Sequence, residues 1–338
     1  MDDKLQHFDR SEMDYEPPFL ETYKTLVQKH VGDSNWSSIE ERCDIPLIDL
    51  GRLSVDREEC MKEIAEAARE WGFFQVVNHG IQPELLKNLQ IEQKKVFYQP
   101  FKNKSTQVNF CSSLSAKAYR WGNPFATNLR QLSWSEAFHF YLTDISCMDQ
   151  HQSLRSILEA FTRRMFSLAE SLGEILACKM NTKSNFFQEH CLPKTSFIRL
   201  NRYPPCPLSS KVHGLLPHCD TSFLTIVHQD HVGGLQLLKD GKWVGVNPNP
   251  LALVVNIGDL FQALSNGVYK SIKHRVVATE KVERFSTAFF YCPLEDAVIK
   301  SHIKPPLYRK FTLKEYRQQT EKDVKQSGDK VGLSRFLL

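Results

Sequence analysis

Apolar residues recur at helical spacing in three stretches of the chain. Residues 55–70 place Met61, Ile64, Ala65 and Ala68 together, and residues 83–97 do the same with Leu85, Leu86 and Leu89. The longest stretch, 152–179, carries Leu154, Ile157, Leu158, Phe161, Met165, Leu168, Leu172, Ile175 and Leu176 at three-four spacing. That spacing predicts an amphipathic helix with one buried stripe. Residues 1–40 are weakly patterned; Pro17-Pro18-Phe19 and then Tyr23, Leu26 and Val27 predict a mobile start followed by a short docked helix.

The texture changes after Pro193. Short β-rich runs occur at 196–203, 223–229, 234–239, 242–247, 252–257, 270–278 and 284–292, most of them separated by turn pairs such as Gly233-Gly234 and Asp240-Gly241. Two earlier runs, 45–50 and 73–77, are strand-like as well, and Pro46 suits an edge position. Strands at this density predict an antiparallel sandwich or jelly roll with flanking helices. The expectation is one domain over 41–338 with its β core at about 194–296. Residues 102–148 lack periodicity and are rich in aromatics, including Phe110, Tyr119, Trp121, Phe125, Trp134 and Phe138. A long irregular stretch of this kind is often functional.

Charge and cysteine content narrow the classes. The 43 basic and 39 acidic residues leave a net charge of +4, and no run of like charge suggests nucleic acid or a membrane surface. Lys94-Lys95 and Arg163-Arg164 read as solvated helix faces. Nine cysteines without a C-x-x-C pair argue against a disulfide framework or a thiolate zinc site, and fit a reducing, cytoplasmic setting; nuclear entry stays compatible. Met1 to Asp14 is polar and acidic, unlike a secretory leader, and no membrane span is expected. The partner to expect is a small molecule.

The candidate chemistry lies in the strand-rich half. His218-Cys219-Asp220 precedes the run 223–227, and side chains at i and i+2 on an extended chain share a face. With His274 from the run 270–278 they make two imidazoles and one carboxylate, the facial set of non-haem iron(II) oxygenases, which leaves positions open. His228-Gln229-Asp230 has the same H-x-D form, but it runs toward Gly233-Gly234 and reads as a solvated turn. Arg284 and Ser286 share a face too; a guanidinium and a hydroxyl together suit a carboxylate. Asn201 and Tyr203 form a third such pair, ahead of Pro204-Pro205.

With these residues in view, the chain from Ile45 to Leu338 resembles the plant 2-oxoglutarate-dependent dioxygenases. The resemblance rests on Ile45–Asp49, Trp71–Gly80, Asn201–Pro205, the His218/Asp220/His274 set and Arg284-Phe285-Ser286. Pro17-Pro18-Phe19, Tyr119–Gly122 and Arg130–Phe138 resemble gibberellin 2-oxidases of the subgroup acting on twenty-carbon gibberellins. Cys219 departs from a threonine common in relatives; its side chain is expected to point away from the metal.

The resemblance implies a distorted double-stranded β-helix. It also implies iron(II), 2-oxoglutarate and dioxygen, with ascorbate in support, and hydroxylation of a diterpenoid acid at its 2β carbon, inactivating a hormone. The keto-acid end of 2-oxoglutarate would lie near Tyr203 and Asn201, and its distal carboxylate at Arg284 and Ser286. Arg120 is the candidate for the substrate carboxylate, with Tyr119, Trp134 and Phe138 as walls. Rival readings are a sister oxidase (a gibberellin 20-oxidase, or one acting on a flavonoid or another hormone), a zinc hydrolase on the same three ligands, and a non-enzymatic jelly-roll module. A hydrolase has no need of a fixed dicarboxylate receptor, so Arg284 and Ser286 argue against it.

Overall fold

In chain order the helices are α1 (Phe19–Thr22), α2 (Lys24–Lys29), α3 (Arg57–Glu70), α4 (Pro83–Phe97), α5 (Phe101–Thr106), α6 (Gln152–Cys178), α7 (Asn185–His190), α8 (Asp259–Leu264) and α9 (Leu313–Ser327). The computed structural model describes residues 14–29, 42–106, 118–123, 126–180, 185–327 and 330–338. The predicted stripe on α6 is where burial falls: Leu154, Leu158, Phe161, Met165, Leu172 and Leu176 are buried. Lys94, Lys95, Arg163 and Arg164 are exposed, as expected.

The first strands are β1 (Arg42–Cys43), β2 (Leu47–Asp49), β3 (Phe73–Val77), β4 (Tyr119–Trp121), β5 (Glu136–Tyr141), β6 (Phe197–Tyr203), β7 (His213–His218) and β8 (Leu224–Gln229). They are followed by β9 (Leu235–Lys239), β10 (Lys242–Val246), β11 (Leu253–Ile257), β12 (His274–Val277), β13 (Arg284–Tyr291), β14 (Val298–Ile299) and β15 (Phe311–Thr312). An eight-stranded sheet runs β2-β3-β11-β8-β13-β6-β5-β4, and a five-stranded sheet runs β1-β10-β9-β12-β7. This is the jelly-roll arrangement, with one side of the larger sheet under α3, α4 and α6, where Ile64, Leu89 and Phe161 share a core with Leu200, Ile226 and Phe289. The other side faces the smaller sheet across a cavity. The Asp240-Gly241 turn joins β9 to β10 with both residues at positive φ, the two-residue hairpin geometry that glycine makes accessible. Placing β2 at a sheet edge agrees with the Pro46 reading.

Three differences from the sequence reading matter for the site. β4 and β5 form a hairpin inside the stretch that looked irregular. β7 was not anticipated, because Gly214 and Pro217 weaken its strand signal; Pro217 is tolerated because β7 is an edge strand. The run 270–278 shortens to His274–Val277.

The hairpin is clasped from outside. Phe19 stacks on Trp134 at 4.5 Å and meets Trp121 edge-on at 5.4 Å, and the backbone N–H of Asn123 donates to the Tyr23 hydroxyl at 2.6 Å. Beneath it, Glu136 pairs with Lys104 at 2.6 Å and Arg202 at 2.7 Å, all three fully or almost fully buried. Arg202 reaches on to Glu283 at 3.0 Å and to Glu16 of the N-terminal segment at 2.5 Å. Buried charges persist when each is paired in this way.

Candidate metal centre

His218 ends β7 and His274 begins β12, and the pairing register sets them directly opposite each other. Asp220 lies in the corner between β7 and β8, so the H-x-D segment closes one strand rather than opening the next. The backbone N–H of Asp259 holds that corner by donating to the Asp220 carbonyl at 2.8 Å. One ligand atom from each of the three side chains lies within 4.8 Å of the others; among the described residues this is the one such grouping of His, Cys, Asp and Glu.

The hydrogen bonds around the triangle prepare it for a cation. The Nδ1 of His218 meets the Leu216 carbonyl at 2.7 Å, and that of His274 meets the Ile272 carbonyl at 3.1 Å. A carbonyl only accepts, so Nδ1 carries a proton on both rings and each ring turns its Nε2 toward Asp220. Those Nε2 atoms lie 3.5 and 3.8 Å from the Asp220 oxygens. Burial pushes His274 down to about 4, which keeps it neutral. For Asp220 burial opposes ionisation, but His274, His218 and the 2.9 Å hydrogen bond from Asn256 outweigh it and hold the carboxyl well below its ordinary range. Two imidazole nitrogens and one carboxylate therefore converge, and this donor set fits a divalent metal. Cys219 is outside the converging group, and burial pushes its thiol up to about 12, where it is protonated.

Across the cavity, β13 and β6 pair Arg284 with Tyr203 and Ser286 with Asn201. Arg284 is 2% exposed; it donates to Gln229 at 2.9 Å and Ser286 at 3.4 Å, and its guanidinium lies 4.9 Å from the Tyr203 ring centroid. Asn201 donates to the Ser286 hydroxyl at 3.4 Å. Among the described residues Arg284 forms no ion pair, and both its Nε and the Nε2 of Gln229 are buried without a partner. A buried, uncompensated guanidinium with spare donors is a receptor for an anion. The sequence reading split these four residues between the two ends of one ligand; the structure sets them side by side. From the outside, Gln93 of α4 donates to the backbone carbonyls of Asn201 at 3.0 Å and Ser286 at 2.9 Å.

The second H-x-D segment is not a solvated turn. His228 and Gln229 are 5% and 2% exposed within β8, and Asp230 accepts from the backbone N–H groups of Phe285 at 2.5 Å and Val232 at 3.0 Å. The glycines that suggested a turn follow the strand; they do not interrupt it.

The cavity between the sheets has a volume of about 550 Å³. Arg120 lines it, but Tyr119, Trp134 and Phe138 do not. Those three are core: the Tyr119 hydroxyl donates to Glu136 at 2.5 Å, Trp134 donates to the Pro205 carbonyl at 3.3 Å, and Phe138 packs on Phe97 at 5.3 Å. Strand alternation turns Arg120 inward and Tyr119 outward, and on β5 it is His139 and Tyr141 that face the cavity. Arg199 and Phe197 of β6 also line it and were missed, although Arg199-x-Asn201-x-Tyr203 is a visible period-two pattern. Phe110 and Phe125 lie outside the described residues. A wider surface cleft of about 850 Å³ adjoins at Tyr141 and Arg317 but holds none of the metal-donor or Arg284-receptor residues.

Residues 194–293 match the 2OG-Fe(II) oxygenase superfamily, and residues 45–158 match the non-haem dioxygenase in morphine synthesis N-terminal family. The chain belongs to the iron(II)- and 2-oxoglutarate-dependent dioxygenases, and its cofactor and co-substrate are those of the family. Within that family it is 50% identical over 337 residues to gibberellin 2-beta-dioxygenase 8 of Arabidopsis thaliana, covering 95% of this chain and 98% of the relative. Gibberellin 2-beta-dioxygenase 5 of Oryza sativa subsp. japonica is 45% identical, covering 95% and 96%. The crystal structure of JOX2 in complex with 2OG, Fe and JA superposes with a TM-score of 0.69 at 32% identity, covering 86% of this chain and 91% of that one. The rice dioxygenase for auxin oxidation gives 0.71 at 28% identity, covering 87% and 100%.

Proposed function

We propose that the chain hydroxylates a gibberellin at the 2β carbon, with His218, Asp220 and His274 holding iron(II) and Arg284, Ser286, Tyr203 and Asn201 holding 2-oxoglutarate. The observation that supports this most is the pairing of the two-imidazole, one-carboxylate triangle with a buried Arg284 that has no ion-pair partner among the described residues, in one cavity. Iron(II), when bound, supplies the redox chemistry that couples decarboxylation of 2-oxoglutarate to hydroxylation of a C–H bond. Asp220, held by Asn256, offers the one anionic ligand, and the two histidines are fixed in orientation by backbone carbonyls. Arg284 and Ser286 supply donors for the distal carboxylate, and the Tyr203 ring supports the guanidinium from one face.

Phe73, Leu215, Leu235 and Val276 give the substrate apolar wall, and Arg120 waits at the opposite end. The gibberellin reading draws on the kinship with gibberellin 2-beta-dioxygenases. A reducing, cytoplasmic setting suits the eight described cysteines, none of which is in a disulfide. Among the described residues no helix is long and apolar enough to cross a membrane.

The test is anaerobic titration with iron(II) and 2-oxoglutarate, followed by product analysis with twenty- and nineteen-carbon gibberellins. A visible charge-transfer band and a 2β-hydroxylated product are expected. Arg284→Met should raise the KM for 2-oxoglutarate about 100-fold, the worth of a buried charge-assisted pair. Zinc-dependent hydrolysis without the band, or turnover of another hormone only, would refute the reading.

A further inference from the structure

We propose that Lys330 is a positioning residue for the metal centre, holding from outside the corner that carries Asp220. The proposal rests on the assignment of His218, Asp220 and His274 as metal ligands and deepens it. Lys330 stands just before the short turn Gly332–Phe336, far from the ligands in sequence. Its ammonium donates to the Cys219 carbonyl at 2.6 Å and to the Thr221 hydroxyl at 3.1 Å, and it pairs with the Asp259 carboxylate at 3.1 Å. Cys219 and Thr221 are the two chain neighbours of Asp220. Lys330 therefore grips the corner on both sides of the ligand.

The corner needs such a hold. Residues 219–223 belong to no strand, so sheet register by itself does not fix Asp220 as it fixes His218 against His274. The donor count of Lys330 also separates positioning from ligand binding. Lys330 lines the cavity, where a cation would ordinarily be assigned to an anionic ligand. An ammonium has three N–H donors, and the Cys219, Thr221 and Asp259 oxygens use all three. None is left over for a ligand.

The start of α8 closes the clamp. The backbone N–H of Asp259 donates to the Asp220 carbonyl at 2.8 Å, and that of Gly258 donates to the Phe223 carbonyl at 2.9 Å. A Cβ on Gly258 would lie 2.0 Å from the Ser222 carbonyl oxygen, so only glycine permits this approach. The Asp259 carboxylate also accepts from the Tyr316 hydroxyl, and Tyr316 stacks on buried Phe336 at 5.4 Å. Lys330 thus ties the carboxylate ligand to a C-terminal layer anchored by aromatic packing. Groups that hold a ligand in this way raise the affinity of the site for its metal.

Full-length metal-free protein would be titrated with cobalt(II) under argon, following the visible d–d bands that report its coordination. The wild type should bind a single cobalt ion, and His274→Ala none. Lys330→Met should weaken cobalt binding about 10-fold and shift the bands, although it removes a positive charge from beside a cation site. Thr221→Val keeps every charge and removes one acceptor; it should weaken binding about 3-fold. The double variant should lose no more than Lys330→Met alone, because both changes open the same contact. Thr221→Val carries the test if Lys330→Met does not fold. Unchanged affinity and bands, tighter binding as charge alone requires, or a lower melting temperature as the only effect would overturn the proposal. If His274→Ala binds cobalt like the wild type, the ligand assignment falls as well. If His274→Ala binds none while Lys330→Met and Thr221→Val bind like the wild type, only the role of Lys330 falls.

Discussion

The two ends of the cavity are built by different means. At the metal end each donor is fixed by a hydrogen bond: His218 and His274 by carbonyls two residues back, and Asp220 by the Asn256 side chain, with its backbone held at the corner by Asp259. At the arginine end Arg120 comes from β4, an edge strand, and Arg199 from β6; Arg120 is exposed, and the Nε of Arg199 is buried without a partner among the described residues. The rigidity of this end is borrowed from behind, through the Phe19–Trp134 stack and the Lys104–Glu136–Arg202 network. The metal donors are preorganised by short-range hydrogen bonds, whereas the arginines at the other end have no such hold on their side chains among the described residues.

That contrast can be broken or sharpened by measurement. The largest effect is expected from His274→Ala, which should lower succinate formation at least about 1,000-fold while the melting curve barely moves. Unfolding instead of simple inactivation would mean that the metal end is structural. Lys104→Met leaves Glu136 with one fewer cation in a dry site and should cost about 3–5 kcal/mol in denaturant unfolding. Little change there would show that the hairpin does not depend on its clasp.

A smaller effect tests the link between the cavity and its outer support. Gln93→Leu removes the donor to the Asn201 and Ser286 carbonyls, and should raise the KM for 2-oxoglutarate about 10-fold without altering gibberellin affinity. The last test is pH. Half-buried His139 and buried His228 are pushed down by burial to about 3 and about 4. The unfolded chain takes up protons below about 6.5 and the folded chain does not, so stability should fall as pH drops from 6.5 toward 4. Each histidine contributes about 1.4 kcal/mol per pH unit in that window. His228→Gln should flatten the slope measured by thermal unfolding; an unchanged slope would contradict the burial account.

Legibility followed the same division. Helices α3, α4 and α6 were readable because one apolar stripe faces one core, and α6 shows it over 27 residues. The metal donors were readable because three residue types with compatible spacing leave few alternatives. The β4–β5 hairpin was obscured by its double burial: Phe138 and Phe140 face the helices while His139 and Tyr141 face the cavity, so both faces are rich in rings. The second H-x-D was misread because burial is set by β8 lying between β11 and β13, which no local pattern reports.

By itself the sequence determined which groups could hold a cation and a carboxylate, and that residues i and i+2 on a strand would present them in pairs. Only the tertiary structure decided which face of each strand is inward. Period two relates neighbours along a strand but does not say which set meets the cavity; that depends on the partner strand and on the layer behind it. This is why Arg120 turned inward and Tyr119, Trp134 and Phe138 did not. It is also why Arg199, unremarkable in sequence, stands unpaired beside the site where His218, Asp220 and His274 converge.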